Sequence, residues 1–488
     1  MTAVEPVPSS RGLRLWIWGV VAVVVGAVGG VMLRDGGRLP VEPPRLARTS
    51  GETLWSVPEQ CRGSLNDPVE ERMTDAFTFA SANVVTMSGR SRADRLSVRD
   101  AVVVDVGGPT RLAREIDLEG ATVLPGFIDS HSHWIGDRAL AGDSASQAID
   151  SALEAGWTSI SELFVNELRL NELCSLQQDG DLRLKVGAFL PINYGFERFG
   201  RWYEHFEPGR VLGPHLFLQG IKIFADRAPD GLGYQTDPPD LAVQGVLFWE
   251  RDDLTAEIRH AHEAGWQIGV HATGDGGLDV VLDAFEPLGR EEIVAARHRI
   301  EHATIVRDDQ VARMADLGLI ASIQHPWFHS DAAAELVRWV GRDRVSFTGR
   351  WRDLREAGIP LTGSTDHPHA IAGEAGPAID ALAQAVTRVG PSGDPPPRWM
   401  AAQRLTIWEV LRSLTIDAAF AQGTEDSVGS IEPGKAADLV VLSGDPTRVR
   451  ADRLYGIEVL ATIVDGRVEF CARSVPRDLR PLCPAATS

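Results

Sequence analysis

Hydrophobic and polar positions fall into three textures along the chain. Over residues 76–123, short apolar runs with two-residue alternation and turn residues between them (FTFASANVVTM, AVVVDVGG, TRLAREIDL, ATVLPGF) predict strands of a small sheet. SIEPGKAADLVVLSGDP and LATIVDGRVEF repeat that texture near the other end. The two stretches, 75–123 and 421–475, are therefore expected to pair in one composite β-sandwich. Between them, over 124–420, eight short apolar runs recur: GFIDSHSHW, WTSISELFV, LRLKVGAFLPI, HLFLQGIKIFAD, WQIGVHATGD, HRIEHATIV, GLIASIQHPW and IPLTGSTDHP. Most are separated by helical patterns such as LTAEIRHAHEAG and RDDQVARMADLG. That alternation predicts an α/β fold, a TIM (β/α)8 barrel.

The third texture is the uncharged run LWIWGVVAVVVGAVGGVML at residues 15–33, bounded by Arg14 and Arg34. As a helix it would reach about 28 Å, close to the thickness of a bilayer's hydrocarbon core. A cleaved signal peptide is the alternative, but its apolar region is usually about 7–15 residues, and no small-x-small site follows here. The expectation is a single-pass transmembrane anchor that contacts lipid. It has an N-terminal tail at 1–14 before it and a linker at 34–74 after it; a C-terminal tail follows at 476–488. The catalytic domain is expected outside the cytoplasm, although Arg34, Arg38, Arg45 and Arg48 outnumber Arg11 and Arg14, against that orientation.

Composition narrows the function classes. The 488 residues carry a formal charge of −20 and no long basic run, which argues against nucleic acid as a partner. Of four cysteines, Cys61, Cys471 and Cys483 lie near the two ends of the chain. A disulfide among those three would suit an oxidising compartment, and unpaired thiols in the cytoplasm are the alternative. Cys174, within NELRLNELCSL, reads as a core residue. A homo-oligomer is compatible with the sequence.

The histidines carry the chemistry. His131 and His133 end the first barrel run, His271 the fifth and His302 the sixth, while Asp366 ends the eighth. Side chains at the C-terminal ends of barrel strands converge, and residues two apart on a strand share a face. His-Ser-His can thus offer two imidazoles to one cation. Lys222, inside GIKIFAD, is flanked by Ile221, Ile223 and Phe224, and a buried ammonium is costly unless paired or neutralised. Carbamylation by carbon dioxide would make it a carboxylate able to bridge two cations; pairing with Asp226 is the alternative. Glu162 reads as a rim carboxylate that can substitute as a ligand. Trp134, His325, His329, His367 and His369 are candidate substrate contacts, and Trp134 equally suits wall packing. His260 and His262 read as surface residues.

Together, VLPGFIDSHSHW, GIKIFAD, VHATGD, RIEHA, GSTDHP and VGSIEPGKAADLVVL closely resemble the amidohydrolase superfamily over about residues 75–472. The nearest branch is amidohydrolase family 3, with YtcJ-like proteins and N-substituted formamide deformylases. The resemblance implies a distorted TIM barrel beside a composite β-sandwich, with one or two divalent metals at the barrel mouth. It makes His131, His133, Lys222, His271, His302 and Asp366 the ligand set. Two departures stand near the substrate position. Gln324-His325-Pro326 precedes His329 where the branch has Gln-Pro-x-His, and Arg227 replaces a glycine after GIKIFAD. The substrate of a relative is therefore not transferred.

The expected activity is hydrolysis of a linear C–N bond, amide or N-formyl, in a small-molecule substrate. Zinc suits the mixed ligand set, and iron or manganese also fits. Water activated by the metal attacks, Asp366 is the general base, and His271 or His302 can stabilise the oxyanion if it is not a ligand. Alternatives on the same site are a cyclic amide hydrolase, a deaminase or an esterase. Outside enzymes, the alternative is a membrane-tethered binding protein with a vestigial barrel.

Overall fold

The computed structural model describes residue 61 and residues 76–89, 92–138, 142–227, 245–372 and 376–484. The anchor expected at 15–33, with the tail before it and most of the linker after it, lies outside the described residues. Among those described, no helix is long and apolar enough to cross a membrane.

The middle of the chain forms the expected barrel. Its strands are β1 (Phe127–Ser132), β2 (Trp157–Glu162), β3 (Lys185–Pro191), β4 (Leu216–Phe224), β5 (Gln267–Ala272), β6 (Arg299–His302), β7 (Ile320–Gln324) and β8 (Leu361–Ser364). Each pairs in parallel with the next, from β1 through β8. The circuit is nearly closed. Where β8 returns to β1, Ser130 and Thr362 share a hydroxyl hydrogen bond, and the Asp366 N–H donates to the His131 carbonyl at 2.8 Å.

Helices cover the outside as their apolar stripes require. Ala145–Glu154 begins in a Ser144–Gln147 capping box and buries Ile149 and Leu153. Arg251–Glu263 and Asp308–Leu317 occupy the stretches where helices were expected, and Gly318 closes the second in the left-handed region at φ 74°. The connection from β3 to β4 departs from strict alternation. It contains a hairpin (Asn193–Tyr194 with Glu197–Arg198), a 3₁₀ turn (Trp202–His205) and a short strand (Val211–Gly213), but no α-helix.

Of two further sheets, the six-stranded one joins both chain ends and the four-stranded one comes from the N-terminal side alone. Leu439–Leu442 pairs antiparallel with Thr122–Pro125, in a six-stranded sheet that also holds Asn83–Val85, Arg92–Ala93, Val459–Val464 and Arg467–Cys471. A four-stranded sheet runs Val102–Val106, Leu96–Arg99, Phe77–Ala80, Arg114–Asp117. Phe77, Phe79, Leu96, Val123, Leu439 and Ile463 belong to one buried cluster between them. The alternation that marked these strands is what supplies an apolar inner face to each sheet.

Cysteine pairing differs from the expectation for Cys174. It is buried in the core, but it is also bonded to Cys61, with Cα atoms 5.2 Å apart; Cys471 and Cys483 form the second bridge, at 5.7 Å. The partners of the first bridge lie 113 residues apart, so local spacing carried no sign of it.

Candidate metal centre at the barrel mouth

His131 is the penultimate residue of β1, and His133 follows just beyond that strand. Asp366 follows β8 by two residues, and its backbone amide is tied to the His131 carbonyl. This junction sets three side chains facing one point. Asp366 Oδ1 lies 3.3 Å from His131 Nε2 and 3.3 Å from His133 Nε2, and one ligand atom from each residue falls within 4.8 Å of the others. His302 brings its ring to 4.6 Å from that of His131 and 4.4 Å from that of His271. Lys222, fully buried on β4, completes the chamber.

Backbone geometry marks the same place. His302, Ala303 and Asp366 have φ of 75°, 44° and 59°, the left-handed region that residues with a Cβ enter at a cost. Such strain persists where surrounding structure fixes it, and functional sites are where it collects.

The donor atoms have the form a cation requires. His131 Nε2, Lys222 Nζ and Asp366 Oδ1 are sealed from solvent and make no hydrogen bond among the described residues. Unpaired polar atoms this deeply buried are costly, and their convergence is what a bound divalent cation would offset. Burial, then the neighbouring His271 and His131, holds the His302 pKa well below the ordinary value; burial also lowers His133 and His271. Burial works against ionisation of Asp366, but His131, His133 and His302 hold its carboxyl well below the usual range. Neutral imidazoles and an ionised carboxylate are the ligand forms that bind metal. The residues fit a mixed nitrogen and oxygen site.

Lys222 does not pair with Asp226. That carboxylate instead accepts from the Thr273 N–H at 3.0 Å, the Thr273 hydroxyl at 3.2 Å and the Gly274 N–H at 2.6 Å, and lies 3.3 Å from His271 Nε2. It ties the end of β4 to the end of β5. Burial pulls Lys222 down to about 8, against the opposing pull of Glu301 and Asp366. Glu162 is likewise a clamp rather than a rim group. Its carboxylate accepts from the Ile135 and Gly136 N–H groups at 3.2 and 2.9 Å, fixing the loop after His133, and burial raises it to about 8.

The candidate substrate contacts separate. His325 is fully buried, with its ring 5.4 Å from Trp351 and its Nε2 3.5 Å from Ser413, so it presents no surface to a ligand. His329 is also buried, donating to the Ala372 carbonyl and accepting from the Asp331 N–H. The intervening 3₁₀ turn, His325–Trp327, takes both rings out of the alternation assumed for the strand end. Trp134 and His367 do remain at the mouth, stacked at 3.7 Å, and Trp134 donates to Asp129 at 3.2 Å.

Sequence reasoning missed three supports. Glu301 accepts from His131 Nδ1 at 2.7 Å, and Arg299 donates to both oxygens of Glu301 at 2.7 and 2.8 Å. Asp129 accepts from the Thr365 N–H at 2.9 Å, holding the segment before Asp366. Trp327 stacks on His302 at 5.1 Å. His369, a candidate contact from the sequence, also lies near the centre, 5.5 Å from the His133 ring and paired with Asp137 at 3.0 Å. Charged residues inside the apolar runs HRIEHATIV and GFIDSHSHW were the available signal for the first two.

With the site assembled, the comparison with known proteins is decisive: residues 175–470 match the model of the amidohydrolase family. The chain belongs to that family. It is 29% identical over 281 residues to the putative amidohydrolase YtcJ of Bacillus subtilis, covering 56% of this chain and 50% of the relative. It is 31% identical over 266 residues to an N-substituted formamide deformylase of Arthrobacter pascens, covering 54% and 48%. The chain thus spans about half the length of these curated relatives. An imidazolonepropionase of Symbiobacterium thermophilum is 27% identical over 438 residues, covering 81% of this chain and 91% of its own. In fold, the amidohydrolase is similar to an uncharacterized metal-dependent hydrolase of Pyrococcus horikoshii, with TM-score 0.63, 22% identity and coverage of 78% and 99%.

Proposed function

We propose that this amidohydrolase cleaves a linear carbon–nitrogen bond, an amide or N-formyl group, in a small-molecule substrate. The observation that carries the reading is the ionised Asp366 carboxylate set 3.3 Å from the imidazoles of both His131 and His133. A carboxylate there can accept a proton from an attacking water and pass it to the departing nitrogen. His131, His133, Asp366 and the nearby His271 and His302 would hold one or two divalent cations, zinc first, with iron or manganese as alternatives. When bound, such a cation supplies Lewis acidity, lowering the pKa of water and polarising the scissile carbonyl. Lys222, if carbamylated by carbon dioxide, adds a further carboxylate to the set. Its depressed pKa supports this, because the neutral amine is the form that reacts.

Resemblance to a formamide deformylase supports the linear bond. Resemblance to an imidazolonepropionase over a longer stretch supports a cyclic amide as the second reading. The test is hydrolysis, followed by product mass, of a panel of N-formyl amines, open-chain amides, cyclic amides, aminopurines and esters. Each is assayed before chelation, after chelation and after zinc is restored. Chelator-sensitive turnover confined to cyclic substrates would replace the first reading with the second. Full metal loading with no turnover anywhere would favour a vestigial, binding barrel.

We also propose that residues 15–33 anchor the protein in a membrane with the barrel outside the cytoplasm. The uncharged apolar run supports the anchor, and the two disulfides support an oxidising compartment.

A further inference from the structure

Arg388 is fully buried, yet its guanidinium pairs with no carboxylate among the described residues. It stands just past the helix Ala378–Thr387, in the left-handed region at φ 58°. A buried cation without a counter-ion is costly, so bulk packing alone does not account for it. The guanidinium instead meets backbone. Nη1 donates to the Phe328 carbonyl at 3.1 Å, and Nη2 donates to the Gly349 carbonyl at 3.1 Å and the Gln403 carbonyl at 2.7 Å. The Trp351 ring covers it, with Cζ 3.4 Å from the ring centre.

Two of these carbonyls lead to His302. Phe328 directly follows Trp327, whose ring lies on the His302 imidazole at 5.1 Å and 18° from parallel. Gly349 donates its N–H to the Thr304 carbonyl at 3.1 Å, two residues beyond His302. The clamped pair is close-packed, since a Cβ on Gly349 would stand 2.6 Å from the Phe328 ring. The Arg388 carbonyl also accepts from the Ser330 N–H at 2.9 Å, so backbone and side chain grip the same loop. His302 itself donates from Nδ1 to Gln324 Oε1 at 2.9 Å, which leaves Nε2 for a cation. An imidazole tethered at one nitrogen can still swing about that bond. The flat face of Trp327 removes the swing.

We propose that Arg388 is a positioning residue for the metal centre. Through the Phe328 and Gly349 carbonyls it holds Trp327 flat on His302 and so fixes the direction of His302 Nε2. The proposal rests on the reading of His302 as a ligand, but the stacking of Trp327 on His302 is observable without metal.

The experiment measures zinc dissociation constants, by competition with a chromogenic chelator, on the full-length wild type, Arg388→Met, Trp327→Leu, the double variant and Arg297→Met. Arg297 is a matched control. It too stands in the left-handed region after a helix, donates to a carbonyl (Phe420, 2.8 Å) and lies over a ring (Phe420, 4.4 Å), but at the opposite end of β6 from His302. Crystal structures of metal-free wild type and Arg388→Met accompany the titrations. Arg388→Met should weaken zinc binding about tenfold, as loss of an orienting partner does, with Arg297→Met within about twofold of the wild type. Because both residues act on His302 by one route, the double variant should bind within about twofold of Trp327→Leu alone, whereas independent effects would multiply. In metal-free Arg388→Met the Trp327 and His302 planes should open beyond 18°. Wild-type zinc affinity in Arg388→Met, multiplying effects in the double variant, or an unmoved Trp327 overturns the proposal. If Arg388→Met does not fold, Arg388→Lys replaces it, keeping the charge without the planar fork. Failure of both to fold makes Arg388 a scaffold residue and overturns the proposal as well. A wild type that binds no zinc, with Trp327 still turned in the variant, would leave Arg388 positioning His302 and overturn the metal reading.

Discussion

Glu301 Oε2 and His131 Nδ1 lie 2.7 Å apart, with both side chains sealed from solvent. The contact fixes which nitrogen of His131 is free, and so aims Nε2 at Asp366. Arg299 and then His131 hold the Glu301 carboxyl well below the usual range, against the opposing effect of burial. Glu301→Gln keeps the shape but removes the charge. Metal affinity should fall about 10–100-fold, as loss of such outer partners typically does. Arg299 would also lose its buried counter-ion, so thermal stability should fall with it. Competition with a chromogenic chelator and a melting curve measure the two effects. Unchanged metal affinity would show that His131 needs no such orientation.

Glu162 makes a prediction about pH. Its carboxyl titrates at about 8 in the fold, against an ordinary 4.5 in the unfolded chain. Between those values the unfolded state releases a proton that the folded state keeps, so the contribution of Glu162 to stability falls as pH rises from about 4.5 to 8, then levels. Glu162→Gln lacks this titration. The stability of the chelator-treated wild type relative to that variant should decline across the window in denaturant titrations. A difference constant from pH 5 to 8 would mean that the buried carboxyl is ionised throughout.

The two disulfides predict a peptide map. Non-reducing digestion should recover Cys61 linked to Cys174 and Cys471 linked to Cys483, with no free thiol. In the chain-entropy view, the 113-residue loop is worth about 5 kcal/mol and the 12-residue loop about 3. Reduction should therefore lower the melting temperature, and Cys174→Ala should lower it more than Cys483→Ala. Cross-linked peptides in any other pairing would contradict the assignment.

The anchor proposed at residues 15–33 predicts accessibility from outside. Protease added to spheroplasts should digest the barrel without lysis. Digestion only after lysis would place it in the cytoplasm.

The barrel was legible because eight short apolar runs alternate with helical patterns and several of them end in reactive side chains. GFIDSHSHW and GSTDHP mark strand ends as much by His133 and Asp366 as by their apolar residues. The pairing of Thr122–Pro125 with Leu439–Leu442 was legible from shared alternation across more than 300 residues of intervening chain. What stayed hidden depends on three-dimensional neighbours. His325 has the residue type and position of a substrate contact, but a 3₁₀ turn buries it against Trp351. Asp226 stood four residues from Lys222, yet strand geometry turns it to Thr273 and Gly274.

In the proposed reaction, Asp366 moves the proton at a centre held by His131. The most direct measurement determines zinc content and turnover together in Asp366→Asn and His131→Ala, on whichever amide is hydrolysed. Asp366→Asn should fold and lose about 10²–10⁴-fold in kcat, the usual size of an acid–base contribution, with any loss of metal adding to it. His131→Ala should lose metal and activity in step. Near-wild-type turnover in Asp366→Asn would contradict the mechanism, even with the barrel and its metal intact.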